Sequence, residues 1–450
     1  MRISRKMVAV ALAGATLPAT LANFSGTATA FSWTSYRVQA GSGGGSEPGI
    51  DIGFDKDGNE LIYVHTTNGI PQHNRAFISQ PSLPGYTGLQ MFKEITFSSP
   101  YNRLPGGGDA DIAYRGDDLW FIDLWAGSNS IQYSPDKGKT WTVGTPFTTL
   151  PLSDRQWIAL GDTVVDPQTG ARKTTVYVTY QFIQPGMGTW IARSRDNGLT
   201  WDHHAPIQAP GAVGLGTIGI PAHIVSDGSK TVAVAMNAGG RFVVAVSRDE
   251  GETWEMNPVS SSPDATGSLN GLTMNPEDPN ELAVVYPTSR FPSGKNVVRI
   301  SRDGGRTWSE AIRPVPLDPN DPDSGFGGQF DFVDVFPWID WRGDKIALAW
   351  YQSSTKVAQM RPDNAIASNQ WHVWYSESTD DGATFSIPQQ VTTVRAKAGP
   401  ICTRGLSCDA DRELGDFMQL AIDAAGKSWI VMVHVGTGPV GAGVYAYRQG

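Results

Sequence analysis

Cysteine is scarce in this sequence: Cys402 and Cys408 are the only two among 450 residues. Two cysteines exclude the disulfide framework of a small secreted scaffold, and because no histidine lies near them they do not form a zinc-binding set. They are six positions apart in a chain that carries export features, described next. They therefore predict one short structural disulfide.

Long hydrophobic runs are also missing. An apolar run follows Arg2, Arg5 and Lys6 and covers residues 7–17, well short of the roughly 20 residues that a membrane-spanning helix needs. A small-residue site follows at Ala28-Thr29-Ala30. This order is typical of a secretory signal peptide cleaved near Ala30. We therefore predict a secreted, extracellular protein without a membrane span, whose mature chain, residues 31–450, is a single domain.

Basic side chains are fewer than acidic ones. The whole chain has 35 Lys and Arg against 44 Asp and Glu, and residues 1–30 hold three of the basic residues and none of the acidic ones. The mature chain thus has 32 basic and 44 acidic side chains, a formal net charge of −12. Such a chain is a poor partner for nucleic acid or anionic membranes.

A convincing helical period is absent too, whereas 51 Gly and 30 Pro suit an all-β chain rich in turns. What the sequence does contain is an octapeptide repeat, Ser-x-Asp-x-Gly-x-Thr-Trp/Phe. Such self-similarity is the sequence signature of a repeat architecture. It occurs five times, at 134–141, 194–201, 247–254, 301–308 and 378–385.

Each octapeptide is predicted to be the turn of a β-hairpin. Its aspartate can accept hydrogen bonds from backbone amides of the turn, its glycine supplies positive φ, and its aromatic residue starts and anchors the next strand. The five aspartates are therefore expected to be structural. They are Asp136, Asp196, Asp249, Asp303 and Asp380.

A second repeat lies between the octapeptides: a short strand-like run followed by a stronger strand. Seven such runs occur, at 52–54, 112–114, 158–160, 224–225, 272–274, 339–341 and 420–422. Seven units over residues 31–450 leave about 60 residues for each, enough for four short strands. The sequence thus predicts a β-propeller of four-stranded blades, with seven blades favoured over six. We expect residues 31–38 to close the ring by pairing with the last blade.

The octapeptide resembles the aspartate box of the bacterial neuraminidase repeat, and the chain is identified as similar to the sialidase-like superfamily. That resemblance implies an arginine triad for the substrate carboxylate, a tyrosine nucleophile with a glutamate partner, and an aspartate acid/base. Tyr36-Arg37-Val38-Gln39 partly matches the motif of the first arginine, without its proline. Phe417 stands where the tyrosine is required. Known sialidases of the superfamily have six blades.

Acidic residues precede several of the predicted inner strands, which surround the channel of a propeller. Crowded carboxylates shift one another's pKa values and can perform general acid/base chemistry on a glycosidic bond. The predicted catalytic residues are Asp109, Asp154, Asp334 and Asp416, with Glu47, Asp51 and Asp111 in equivalent places. The alternative is that each caps backbone amides between blades.

Other side chains near the same strands are predicted to bind substrate. Arg37, Arg155, Arg412 and His223 could hold an anionic sugar, and Trp157 and Trp338 could stack on a sugar ring, although packing between blades is the alternative for both tryptophans. No cofactor is expected and no metal site is predicted. Residues 318–323 could hold calcium through oxygen ligands, but their prolines favour a solvated turn.

The predicted function is a secreted sialidase-like glycoside hydrolase, an exo-sialidase-like enzyme, acting on an extracellular glycan or polysaccharide that could contain an acidic sugar. The protein is expected to be a monomer. A non-catalytic propeller that binds glycan or protein is the first alternative, because fold does not fix function. A polysaccharide lyase is the second, with Tyr114, His65 or His223 as its base.

Overall fold

The computed structural model is built almost entirely of strands, as Gly- and Pro-punctuated strand runs predict. It describes residues 30–41, 46–69, 73–95, 107–125, 128–148, 153–182, 188–208, 218–238, 241–261, 270–287, 296–312, 333–354, 365, 367–403, 412–436 and 441–450. Residues 1–29, Cys408 and residues 318–323 lie outside these ranges, so the signal peptide, the disulfide and the calcium interpretation stay predictions. Residues 31–450 form one compact unit.

The described strands form seven antiparallel sheets, the blades. In blades 1 to 3 the strands follow one another along the chain from the channel outward. Blade 1 has β2 (Ser46–Phe54), β3 (Glu60–Thr67), β4 (Arg75–Ser79) and β5 (Lys93–Ile95), with a short 3₁₀ turn at Gly88–Gln90. Blade 2 has β6 (Ala110–Arg115), β7 (Asp118–Trp125), β8 (Ser128–Ser134) and β9 (Thr142–Val143). Blade 3 has β10 (Ser153–Val165), β11 (Arg172–Phe182), β12 (Thr189–Ser194) and β13 (His203–Pro206).

Blades 4 to 6 continue the same order. Blade 4 has β14 (Ile218–Ser226), β15 (Val232–Ala238), β16 (Arg241–Ser247) and β17 (Glu255–Pro258); blade 5 has β18 (Gly271–Asn275), β19 (Asp278–Pro287) and β20 (Asn296–Ser301); blade 6 has β21 (Asp334–Arg342), β22 (Lys345–Ser353), β23 (Gln370–Ser378), β24 (Gln389–Gln390) and β25 (Lys397–Ala398). In blade 5 an isolated bridge between Val298 and Ile312 takes the place of the outer strand.

The first strand of the chain belongs to the last blade. Blade 7 consists of β26 (Gln419–Ile422), β27 (Ser428–His434), β28 (Gly443–Gln449) and, outermost, β1 (Trp33–Ala40). β1 runs antiparallel to β28 from Trp33 opposite Gln449 to Ala40 opposite Gly443. The predictions of seven blades and of ring closure by the N-terminal strand are both confirmed. Among the described residues no helix is long and apolar enough to cross a membrane.

The five octapeptides form closely similar turns at the end of the third strand of their blades. In the turn after β16, Asp249 accepts hydrogen bonds from the Thr253 amide (2.8 Å) and the Thr253 hydroxyl (2.6 Å), and the Ser247 hydroxyl accepts one from the Gly251 amide (2.8 Å). Glu250 has φ 63° and Gly251 φ 89°. Both residues lie in the left-handed region, which glycine adopts without steric cost because it has no Cβ. This explains why every octapeptide has glycine at that position. Between β4 and β5 the 3₁₀ turn replaces the octapeptide.

Inner strands of neighbouring blades are joined by side chains that bond to backbone. Three aspartates each accept a hydrogen bond from a backbone amide of the next blade: Asp51 from Tyr114 (2.7 Å), Asp111 from Ile158 (3.0 Å) and Asp340 from Ile422 (2.8 Å). The Gln419 side chain likewise accepts a hydrogen bond from the Ile50 amide (2.7 Å), and His223 Nδ1 is hydrogen-bonded to the Leu272 carbonyl (2.8 Å). For Asp51 and Asp111 the structure therefore supports capping between blades. Burial raises the pKa of Asp51 to about 7 and that of Asp340 to about 6.

Asp249→Ala is expected to lower the free energy of unfolding by about 1–2 kcal/mol, because backbone and hydroxyl donors of one turn lose their shared acceptor. Urea denaturation followed by tryptophan fluorescence measures the change. Asp57→Ala is the control, since the Asp57 side chain is exposed in a turn without an octapeptide. Equal losses in the two variants would contradict a structural role specific to the octapeptide.

Candidate active site at the channel mouth

The channel end at which the inner strands begin, here called the mouth, is shaped by β-bulges. The pairing register shifts near the start of three inner strands: between Ser46 and Gly49 in β2, between Asp154 and Trp157 in β10, and between Val335 and Trp338 in β21. Each bulge contains a non-glycine residue with positive φ: Glu47 (46°), Arg155 (52°) and Phe336 (52°). A bulge re-aims the side chains around it, and such backbone is held at functional sites more often than elsewhere.

Four carboxyl groups from four blades gather around the Arg155 guanidinium. Arg155 Nη2 lies 2.7 Å from Asp416 Oδ2 and 3.7 Å from Glu47 Oε1, and Arg155 Nε lies 3.4 Å from Asp109 Oδ2. Asp154 adjoins the group through a hydrogen bond to the Asp109 side chain. Arg412 Nη2 approaches the same Asp416 oxygen at 3.3 Å. We call these residues the mouth cluster: Glu47, Asp109, Asp154, Arg155, Arg412 and Asp416.

Burial and crowding separate the pKa values within the mouth cluster. Burial, and then the charge of Asp109, raise the pKa of Asp154 to about 7. Burial and the same neighbour raise the pKa of Glu47 well above its usual value. At Asp109 burial acts in the same direction, but the Arg155 charge and hydrogen bonds from Glu47 and Asp154 outweigh it and lower the pKa. The cluster therefore holds a proton on Asp154 near neutral pH beside an ionised carboxylate.

An aromatic layer packs against the mouth cluster. The Trp157 ring lies 5.0 Å from Phe417 and 5.5 Å from Trp338, and His223 lies 4.5 Å from Trp338. Trp157, Phe417 and Trp338 are 0%, 2% and 5% exposed. The Arg155 guanidinium carbon sits 5.2 Å from the Phe417 ring centre. Both tryptophans thus pack against other rings in this structure, and sugar stacking by them stays a prediction.

Below this layer the channel contains a cavity of about 660 Å³ that extends along the inner strands toward their C-terminal ends. Its wall includes Asp51, Asp111 and Asp340, the carboxylates that cap amides of the next blade. In the described part of the chain no group of three or more His, Cys, Asp or Glu side chains is arranged to hold a metal ion.

The structure brings only part of the predicted site together. Asp109, Asp154, Asp416, Arg155 and Arg412 meet in the mouth cluster, and Glu47 joins them. Asp334 instead accepts hydrogen bonds from the Asn296 amide (3.2 Å) and the Gln352 side chain (2.8 Å).

Two predicted cationic groups lie apart from the cluster. Arg37 is exposed on β1, the outer strand of blade 7, opposite Tyr445. Burial lowers the pKa of His223, and its Nδ1 is bonded to backbone. A cationic His223 at neutral pH is therefore not supported.

The sequence repeats did not predict that Glu47 and Asp416 would both contact Arg155. Arg155 and Asp416 are 261 positions apart. The acidic residue before each inner strand was the one available signal, and it marked Glu47 without distinguishing it from Asp51 or Asp111.

Residues 121–313 match the BNR repeat-like domain family, and this stretch contains four of the five octapeptides. The chain has a β-propeller fold. The resemblance drawn from the octapeptides is thus confirmed. A comparison with curated proteins gave no significant match.

Solved structures with a similar fold include several glycoside hydrolases. The Niastella koreensis GH74 enzyme is 16% identical (TM-score 0.40) over 86% of this chain and 64% of its own, so this propeller spans less than two thirds of that enzyme. The phage phi92 endosialidase is 11% identical (TM-score 0.49; 93% and 69%), and the Trypanosoma rangeli sialidase 13% (TM-score 0.39; 92% and 57%). At these identities and TM-scores the likeness carries no information about activity.

Asp154→Asn is expected to stabilise the protein at pH 8. The folded-state pKa of about 7 exceeds the ordinary 3.8, so the folded state binds the proton more tightly and stability falls as pH rises between these values. Asparagine does not titrate, and we expect a gain of about 1–3 kcal/mol in the free energy of unfolding at pH 8, with little change at pH 4. Urea denaturation at both pH values measures it. Equal effects of the substitution at pH 4 and pH 8 would refute this electrostatic environment for Asp154.

Proposed function

We propose that this protein is a secreted glycoside hydrolase that acts on an extracellular glycan at its channel mouth. The observation that carries the proposal is the mouth cluster, in which a carboxyl group with a pKa of about 7, Asp154, lies beside carboxylates that are ion-paired with Arg155. Glycosidic bond cleavage needs one protonated and one ionised carboxyl group at the same pH.

Asp154 fits the role of general acid, which donates its proton to the leaving oxygen as the glycosidic C–O bond breaks. The second carboxylate of a glycosidase stands roughly 5–9.5 Å from the acid, to leave room for the sugar or a water. Asp109 is hydrogen-bonded directly to Asp154, which is too close for that role. It serves instead to raise the pKa of the acid.

Asp416 fits the second role, as nucleophile or as the base that activates water. It pairs with Arg155 at 2.7 Å and with Arg412 at 3.3 Å. Two guanidinium groups stabilise its charge and fix its position. The cationic groups of the cluster thus orient a reacting carboxylate.

Secretion remains part of the proposal, supported by the basic, apolar and small-residue segments of residues 1–30. A glycan outside the cell is the partner that agrees with it, since the acidic mature chain disfavours nucleic acid and anionic membranes.

A non-catalytic binding propeller is the second candidate function, and Phe417 favours it. Its ring lies under Arg155 and is 2% exposed, so no phenolic oxygen is available where a sialidase has its nucleophile. A lyase is less well supported. Burial raises the pKa of Tyr114 and keeps its phenol protonated, His65 is 0% exposed, and His223 Nδ1 is bonded to the Leu272 carbonyl.

Asp154→Asn is expected to lower kcat by at least about 100-fold on any glycan that the purified mature protein cleaves, because general acid catalysis contributes on the order of 10²–10⁴. Wild-type kcat should fall as pH rises through about 7, the pKa of Asp154. Reducing-sugar release over a panel of polysaccharides measures both effects.

Asp57→Asn is the matched control for that experiment, an exposed Asp-to-Asn change in a turn between β2 and β3. It is expected to retain wild-type kcat. Full activity in Asp154→Asn would remove Asp154 from the reaction, and glycan binding without any turnover would favour the binding propeller.

A further inference from the structure

The mouth cluster has an excess of carboxyl groups over cationic groups. Glu47, Asp109, Asp154 and Asp416 surround two guanidiniums, and Arg155 lies within 4.0 Å of three of these carboxyl groups. The Arg412 contact in the cluster is to Asp416. The positive charge of both arginines is therefore compensated within the protein. Even with protons on Asp154 and Glu47, Asp109 and Asp416 balance the two guanidiniums, so a substrate carboxylate would bring an unpaired negative charge into a buried site.

Buried polar atoms in the cluster and beside it lack a hydrogen-bond partner among the described residues. Arg155 Nη1 and Arg412 Nη1 are such donors, and Oε1 of Gln156, which follows Arg155 in the chain, is such an acceptor. The Arg155 side chain is only 6% exposed. Buried polar atoms are normally hydrogen-bonded, so this concentration of free donors and acceptors is an observation independent of the charges, and it points to a ligand.

Donors and acceptors that occur together match a hydroxyl group, which donates one hydrogen bond and accepts others. A carboxylate only accepts, so it would satisfy the arginine atoms and leave Gln156 Oε1 without a partner. Two adjacent hydroxyls of a sugar ring would satisfy both kinds of atom.

The other predicted anchors for a sugar carboxylate do not reach the cluster. Arg37 is exposed on the outer strand of blade 7. Burial lowers the pKa of His223, which keeps its imidazole neutral at pH 7. Among these predicted residues none supplies an uncompensated positive charge at the mouth.

We propose that the mouth cluster binds an uncharged, hydroxyl-rich sugar residue and discriminates against sialic and uronic acids. The proposal rests on the mouth cluster being the glycan site of the proposed function, and it narrows the substrate class that the octapeptide resemblance suggested.

The test compares neutral sugars with their own uronic acids, because glucose and glucuronic acid, or galactose and galacturonic acid, differ only in a CH₂OH group against a carboxylate. The purified mature protein is assayed with fluorogenic glycosides and oligosaccharides of these pairs and with a fluorogenic sialoside. Wherever a pair is cleaved, we expect kcat/KM for the neutral member to be at least about 100-fold higher, because the carboxylate of the acidic member finds no unpaired positive charge in the buried site. Cleavage of the sialoside, or of any uronide as fast as its neutral partner, would overturn the proposal.

A charge variant provides the internal control. Asp109→Asn removes an ionised carboxylate while keeping a side chain of the same size, and it is expected to narrow the neutral-to-acidic ratio by about tenfold or more. Asp57→Asn is expected to leave the ratio unchanged. An unchanged ratio in a folded Asp109→Asn variant would contradict electrostatic discrimination by the cluster.

If no member of the panel is cleaved, the hydrolase proposal fails. Binding measurements then test separately whether the mouth cluster prefers uncharged sugars. Saturation-transfer NMR with the same pairs should then show contacts to the neutral members alone, and Asp154→Ala should abolish them. Binding of the acidic members with equal or higher affinity, or binding of no member of the panel, would overturn the inference.

Discussion

The antiparallel pairing of β1 with β28 is the contact on which the remainder of the molecule depends. It joins the residues at 33–40 to those at 443–449 and leaves the last blade with an outer strand taken from the start of the chain. Closed rings remove the exposed sheet ends that an open stack of blades would present. The inner strands can then meet their neighbours on both sides, and side chains such as Asp340 and Gln419 bond across those junctions. Blades 7 and 1 become neighbours only through this closure.

The same closure creates the mouth cluster. Glu47 starts blade 1 and Asp416 precedes blade 7, and Arg155 of blade 3 reaches both across the channel. The bulges at Glu47 and Arg155 hold non-glycine residues at positive φ, and burial raises the pKa of Asp154. Strain and desolvation both disfavour folding locally, and the hydrogen-bonded blades around them stabilise the arrangement. The octapeptide turns have the opposite character: in Asp303, hydrogen bonds from Thr307 lower the pKa to about 2, and the turn satisfies its own polar groups.

Sequence patterns predicted the fold more fully than the site. The octapeptide at 247–254, for example, specified its own turn, because a serine, an aspartate, a glycine and a threonine within eight residues can complete every hydrogen bond locally. The seven strand-like runs correctly predicted seven inner strands, and the acidic residues before them correctly marked Asp109, Asp154 and Asp416 as neighbours at the mouth. The same pattern did not separate these from Asp51 and Asp111, which cap amides, or from Asp334, which bonds to Asn296 and Gln352.

The sequence by itself determined the turns, the strands and their number, since these follow from residues that are adjacent or regularly repeated. Only the tertiary structure decided that Arg155 is neutralised by carboxylates of three other blades, that Phe417 and the two tryptophans pack together beside it, and that Arg37 lies on the outside. These contacts join residues up to hundreds of positions apart, as Arg155 and Asp416 are by 261. Their energies depend on burial and on distances between blades, which no local pattern of residues encodes.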